Sequence, residues 1–260
     1  MDEQQQHSEW PALRWPLTIV AQESPDIPCS YFSDRLSRMR GLGCGQLDAA
    51  VYQTMMDAGC RRSGRLIYQP ICGGCRACRQ YRVPTATFMM NKTQRRIWRK
   101  GTDLTVTVQQ PEATQAKWEI YERYQREWHQ REEGADYESF VQFLYDSPTD
   151  SLEFIYHDGS GAMLGIGICD ITPKALSSVY FYFDPAKAQR RLGTFSALYE
   201  IEWAKTQGLP YWYAGYLVDG CSKMMYKSDF GPGELLGTDG VWRPLTRPAS
   251  ACDDNRLDAV

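Results

Sequence analysis

Three cysteines, Cys72, Cys75 and Cys78, recur at every third position in a Gly- and Arg-rich stretch, a spacing that core packing does not require. Thiols so placed can face one ion. A ferredoxin-type run would supply a fourth thiol four positions after Cys78, but Arg82 stands there. The missing ligand is expected from Cys29, and a four-thiolate site suits either zinc or an iron–sulfur cluster. The alternative is that some of these are unliganded thiols. Cys44, Cys60, Cys169, Cys221 and Cys252 complete an odd count of nine and are read as structural or free thiols.

Charge gives the second chemical signal. The net charge of -3 is an average over two unlike parts. Cys60 to Lys100 contains eleven Lys and Arg and no Asp or Glu, which leaves 18 basic residues against 32 acidic ones elsewhere. Such asymmetry suits a phosphate-binding face on an acidic protein. Within it, Lys92, Arg95, Arg96, Arg99 and Lys100 lie at helical spacing around Trp98, so one helix face can follow a nucleic-acid backbone. Tyr68, Tyr81 and Trp98 suit stacking on unpaired bases, which makes RNA the expected partner.

A third candidate is Gln189-Arg190-Arg191-Leu192-Gly193-Thr194, placed between a strand and a helix start where backbone N–H groups can receive a phosphate. An ordinary turn with solvated arginines fits the same residues. Phe195 is bulky where an acyl-CoA enzyme needs a small residue, which argues against coenzyme A. His7, His129 and His157 stand in no nucleophile pattern with Ser or Cys. A hydrolase triad is unsupported.

The elements that must position these residues fall into two halves. Residues 1–18 and 247–260 are polar, proline-punctuated or acidic and are expected to be disordered ends. In 19–110, Leu47, Val51 and Met55 predict a helix over Gly45 to Ala58, followed by strands at Arg65 to Pro70 and Gln80 to Pro84. A basic helix over Lys92 to Lys100 and a strand over Asp103 to Gln109 come next, and Pro111 closes the first domain. In 111–246, Trp118, Tyr121, Tyr124 and Trp128 mark an aromatic helix face. Strands are expected at Leu152 to Tyr156, Met163 to Ile171, Ser177 to Phe183 and Tyr211 to Val218, with a helix carrying Phe195, Leu198 and Ile201 before the last. The fold class is α/β (α+β), with a Cys-rich metal-binding subdomain ahead of a meander, helix and strand in GNAT-like acyltransferase order. No apolar run spans a bilayer, and MDEQQQHSEW is no export signal, so the cytoplasm and a monomer are expected.

Several motifs then occur in order: Pro28-Cys29-Ser30-Tyr31, Arg61-Arg62-Ser63-Gly64 with Tyr68 and Pro70, the three cysteines, Gln94-Arg95-Arg96, Phe183-Asp184-Pro185, Leu192-Gly193-Thr194, Gly215-Tyr216 and Met225-Tyr226-Lys227. Over roughly residues 25 to 245 the chain resembles the bacterial aspartate/glutamate leucyltransferases, relatives of the arginyl-tRNA-protein transferases. The resemblance implies a GNAT-like fold, a leucyl-tRNA donor and acceptor proteins beginning with Asp or Glu. An arginyl-tRNA donor and a non-enzymatic RNA-binding protein remain as alternatives. The chemistry expected is attack of an acceptor's α-amine on the aminoacyl ester, which holds the needed free energy, so neither ATP nor a cofactor is required. Arg61 and Arg62 are expected to attract the acceptor's acidic side chain, with Ser63, Tyr68 and Tyr216 also binding substrate. Tyr226 and Lys227 are expected at the ester or tRNA terminus, and Asp184 at the incoming amine. Arg190 and Arg191 join the basic helix as tRNA contacts.

Overall fold

The computed structural model describes residues 21–131 and 136–245. The expected loose ends, 1–18 and 247–260, lie outside the described residues. Short strands open the chain: β1 (Gln22–Glu23), β2 (Ile27–Pro28), β3 (Leu36–Ser37) and β4 (Met39–Gly43). Helix α1 (Ala49–Asp57) starts later than the apolar spacing suggests because Asp48 caps it, accepting from the backbone of Ala50 and Val51. Strands β5 (Arg61–Ser63) and β6 (Leu66–Pro70) follow, and β1-β4-β6-β5 form a small sheet.

The larger sheet has eight strands: β7 (Cys78–Pro84), β8 (Thr105–Gln109), β9 (Ser151–His157), β10 (Met163–Thr172), β11 (Ala175–Phe183), β12 (Tyr211–Val218), β13 (Glu234–Leu236) and β14 (Trp242–Pro244). Their order is β14-β13-β7-β12-β11-β10-β9-β8. Strands from both sides of the expected boundary at Pro111 therefore share one sheet. Alternating Thr and Val explain β8 at an edge, and near-continuous apolar residues explain β10 and β12 at the centre.

Helix α2 (Lys92–Lys100) has the expected bounds, fixed by a capping box between Asn91 and Gln94. Helix α3 (Gln115–Arg123) runs on into a wider turn over Tyr124–Trp128, and its aromatic face packs against Phe140, Tyr180, Tyr182 and Phe183. As a stripe at helical spacing it is core. Short α4 (Tyr137–Phe140), long α5 (Leu192–Thr206) and short α6 (Ser222–Met225) complete the helices used here.

All neighbours in the large sheet are antiparallel except β11 and β12. A parallel pair needs a crossover, and α5 supplies it. The pair is short. Only Ala175, Leu176 and Ser177 match Tyr211, Trp212 and Tyr213, although both strands continue well beyond. Each strand also breaks register with its other neighbour at this point, β11 beside Ile168/Cys169 and β12 between Tyr213 and Gly215, whose φ is +82°. Such irregularities bend and twist a strand, so β11 and β12 part.

One fully buried ion pair joins the two sheets, and a partly buried cluster ties the larger sheet to α1. Arg62 on β5 meets Asp170 on β10 at 2.7 Å with both side chains fully buried, and Ser151 Oγ donates to the same carboxylate. Arg82 on β7 reaches Asp57 of α1 at 3.2 Å and Glu234 of β13 at 2.7 Å. Removing one member of such a pair strands a charge in a medium that cannot solvate it. We expect Asp170→Ala to lower the unfolding free energy by about 3 to 5 kcal/mol. Denaturant titration checks this, and a loss below about 1 kcal/mol would place the pair among those of little weight.

Candidate active site

The gap between β11 and β12 is a cavity of about 790 Å³. Ser178 to Phe181 on one strand and Ala214 to Tyr216 on the other form its sides, and Gly193 at the start of α5 also lines it. Arg61 spans the gap, donating to Ser177 Oγ at 2.5 Å and to the Ser178 carbonyl, groups of β11 near the end of its pairing. Its guanidinium lies 3.4 Å from where a Cβ on Gly215 would stand. Glycine at 215 is favoured by the positive φ, since a Cβ there would only touch the arginine at ordinary contact distance.

Several expected site residues meet here: Arg61, Arg62, Ser63, Tyr68, Tyr216, Tyr226 and Lys227 all line the cavity. Lys227 Nζ donates to the Tyr216 carbonyl at 3.0 Å. Burial, then the nearby Arg61 charge, push its pKa down to about 7, so near neutral pH much of it is free amine. Tyr226 is pushed up to about 12 by burial and by Glu200, so it stays a protonated donor. The Tyr216 hydroxyl is fixed by Gly59 O at 2.8 Å, and its ring meets Tyr68 at 6.2 Å.

Other expectations need correction. Arg62 does not present a free fork: Nε and Nη2 are engaged by Asp170, and only Nη1 lacks a partner among the described residues. Its charge is already matched by Asp170, whereas among the described residues the Arg61 guanidinium contacts neutral oxygens. Asp184 is not in the cavity wall. It caps the turn Pro185–Arg190, accepting from Ala186 N at 3.2 Å, as an Asp-Pro at a strand end commonly does. Arg190 is paired with Asp103 at 2.6 Å, and Arg191 takes the left-handed φ of 55° that starts α5. Neither lines the cavity.

The basic segment is not one face. Arg62, Arg65, Arg79 and Arg82 find carboxylates from other parts of the chain. Lys92, Arg95, Arg96, Arg99 and Lys100 of α2 are exposed, and among the described residues none has an ion-pair partner. Tyr81 is fully buried with its hydroxyl on Phe230 O, and Trp98 stacks on Phe195 at 5.5 Å, so neither is a platform for bases. Phe195 in turn packs under α2 instead of overhanging the turn at Gly193, so its bulk carries no argument against coenzyme A.

The cysteines gather without closing. Burial first, then Cys72, Cys75, Cys29 and Cys221 push Cys78 up to about 12, while a backbone N–H at Ala77, with Arg35 at 3.4 Å, lowers Cys75. Among the described residues, no three His, Cys, Asp or Glu side chains form a group that could hold a metal. The expected four-thiolate arrangement of Cys29, Cys72, Cys75 and Cys78 is therefore not formed here.

Glu200 is a site residue that sequence reading missed. It lines the cavity, accepts from Ser196 Oγ and Trp212 Nε1 at 2.9 Å each, and burial raises its pKa. The available signal was a carboxylate among the apolar residues of α5, between Leu198 and Ile201.

Comparison with known proteins agrees with this geometry. The family models described as arginine-tRNA-protein transferase, N terminus and C terminus, match residues 27–96 and 116–237. An aspartate/glutamate leucyltransferase of Acinetobacter baumannii is 39% identical over 238 residues, 90% of this chain and 87% of that one. Those of Hahella chejuensis and Pseudoalteromonas atlantica are 34% and 37% identical, over 85% and 86% of this chain and 96% of each relative. No described helix is long and apolar enough to cross a membrane. The chain belongs to the arginine-tRNA-protein transferase family, among its aspartate/glutamate leucyltransferases.

Proposed function

We propose that the cavity joins leucine from leucyl-tRNA to the α-amine of proteins that begin with Asp or Glu. The observation that carries this reading is a lysine held near neutrality beside an uncompensated arginine, Lys227 and Arg61, between two parted strands. We read β9, β10, β11, α5 and β12 as a GNAT-like acyltransferase core, whose meander, helix and strand order supports the assignment.

An acceptor's α-ammonium has a pKa of about 7.7 to 8.0 and must lose a proton before it can attack. Lys227, with a pKa of about 7, is close enough in basicity to take that proton. The freed amine then forms the C–N bond at the ester carbonyl. The carbonyl oxygen gains negative charge, and the Tyr226 hydroxyl is available to donate to it. Collapse breaks the bond to the ribose oxygen, which leaves as a hydroxyl with one proton while the new amide nitrogen gives up one, and the proton first taken by Lys227 goes to water. Arg61 holds the acidic side chain of the acceptor's first residue, while Ser63, Tyr68 and Tyr216 form the walls. Exposed cations on α2 hold the RNA backbone, and the binding should weaken steeply as salt is added.

A zinc ion or an iron–sulfur cluster on Cys29, Cys72, Cys75 and Cys78 remains part of the proposal, supported by their proximity. No step above runs through it. Metal analysis of purified Cys72→Ser protein tests it, since unchanged metal content removes this part.

The reading as a whole is tested by offering peptides that start with Asp, Glu or Ala to leucyl-tRNA and to arginyl-tRNA separately and weighing the products. Leucine on the two acidic peptides alone is expected. Arginine in its place would transfer the same mechanism to another donor, and no product from either would end it. For the proton transfer, kcat should rise with pH through about 7 as Lys227 loses its proton. Lys227→Met should lower kcat by about 100-fold or more and abolish that limb. A variant that keeps the limb would assign the titration to another group.

A further inference from the structure

The mouth of the cavity carries positive charge that the chemistry inside does not use. Lys223 on α6 and His129, just after the wide turn that follows α3, both line the cavity, and both are exposed. Arg131 is exposed as well. The three are near neighbours: burial first, and then the charges of Arg131 and Lys223, lower the pKa of the His129 imidazole. Among the described residues, neither Lys223 nor Arg131 has an ion-pair partner. Segments nearly a hundred positions apart thus bring together Lys223 and His129 at the cavity lining, with Arg131 close enough to act on the imidazole, and no described carboxylate pairs with either cation. A fold gains nothing in stability from such crowding, because like charges repel.

We infer that Lys223, Arg131 and His129 form a phosphate site at the cavity mouth, which takes the 5′-phosphate of the donor RNA's terminal nucleotide. The inference rests on the aminoacyl-tRNA reading above. An ester that reacts beside Lys227 is attached to a ribose, and that ribose carries its 5′-phosphate. A phosphate therefore stands one sugar away from the reacting carbon, toward the opening. A phosphodiester anion that leaves bulk water there requires cations or N–H donors. Lys223 and Arg131 supply charge, and a neutral imidazole at His129 still donates one N–H. The acceptor's acidic side chain is the competing anion. It is joined to the same Cα as the attacking amine, for Asp through a single methylene, so it must lie deep beside Arg61 and not at the rim.

The site differs from α2 in what it should do. Cations on α2 contact the RNA body and act on any RNA with that backbone. Cations at the mouth act on the last phosphate, and so on the register of the ester against Lys227.

The test compares leucyl-tRNA with 2′(3′)-O-leucyl-adenosine, a donor with the same ester and no phosphate. In the double variant Lys223→Ala/Arg131→Ala, the preference for leucyl-tRNA over the nucleoside donor, as a ratio of kcat/KM values, should shrink by about tenfold or more. Lys223→Arg should retain it. An unchanged ratio, whether both donors lose activity together or neither does, overturns the inference. If the nucleoside is too poor a donor to score, salt dependence decides. The slope of log Kd for leucyl-tRNA against log salt should fall in magnitude by about one to two in the double variant, and an unaltered slope overturns it. Failure of the parent reading is separate, since wild-type protein would then transfer leucine from neither donor.

Discussion

The separation of β11 from β12 is the constraint on which the rest of the molecule depends. A parallel pair joined across three residues cannot stay paired when both strands also kink against their outer neighbours. The opening exposes backbone and hydroxyl groups that a continuous sheet would have paired, and each needs a partner. Arg61 meets part of that need by reaching Ser177 and the Ser178 carbonyl. The same act brings an uncompensated positive charge into the cavity. Support of the fold and the placing of a positive charge in the cavity are here one arrangement of one side chain.

Electrostatics inside the cavity follow from that placement. Arg61 and burial act in the same direction on Lys227, and the lysine gives up its proton near neutral pH. Glu200 lies on another wall, where neutral donors surround it instead of a cation. Burial is the leading cause for both groups, lowering the pKa of Lys227 and raising that of Glu200, and at Lys227 the like charge of Arg61 adds to it.

The basic residues illustrate how little a charge run says before folding. Eleven cations without a carboxylate suggest one continuous surface. Folding distributes them instead into unlike settings: buried or half-buried pairs at Arg62 and Arg82; more exposed pairs at Arg65 and Arg79; Arg76 on the carbonyls of Cys72 and Cys75; the span at Arg61; and the open face of α2. Only the last keeps the property that the run implied. The reason is that a buried guanidinium must be matched, and the matching carboxylates, Asp170 and Glu234, come from far along the chain.

What the sequence determined by itself is whatever local physics fixes. The Asn91–Gln94 box and the helical spacing of cations set α2, alternation and apolar runs set β9 to β12, and ordered motifs set the family resemblance. Lys227, Tyr226, Tyr216 and Arg61 could be named as candidates because they lie inside those motifs. Tertiary structure alone decided that Arg62 is consumed by Asp170, that Asp184 caps a turn and pairs with Arg123 outside the cavity wall, and that Glu200, Lys223 and His129 reach the cavity. Those outcomes depend on which residues meet across two sheets and a gap. Burial and pairing are properties of the assembled fold, and no spacing along the chain contains them.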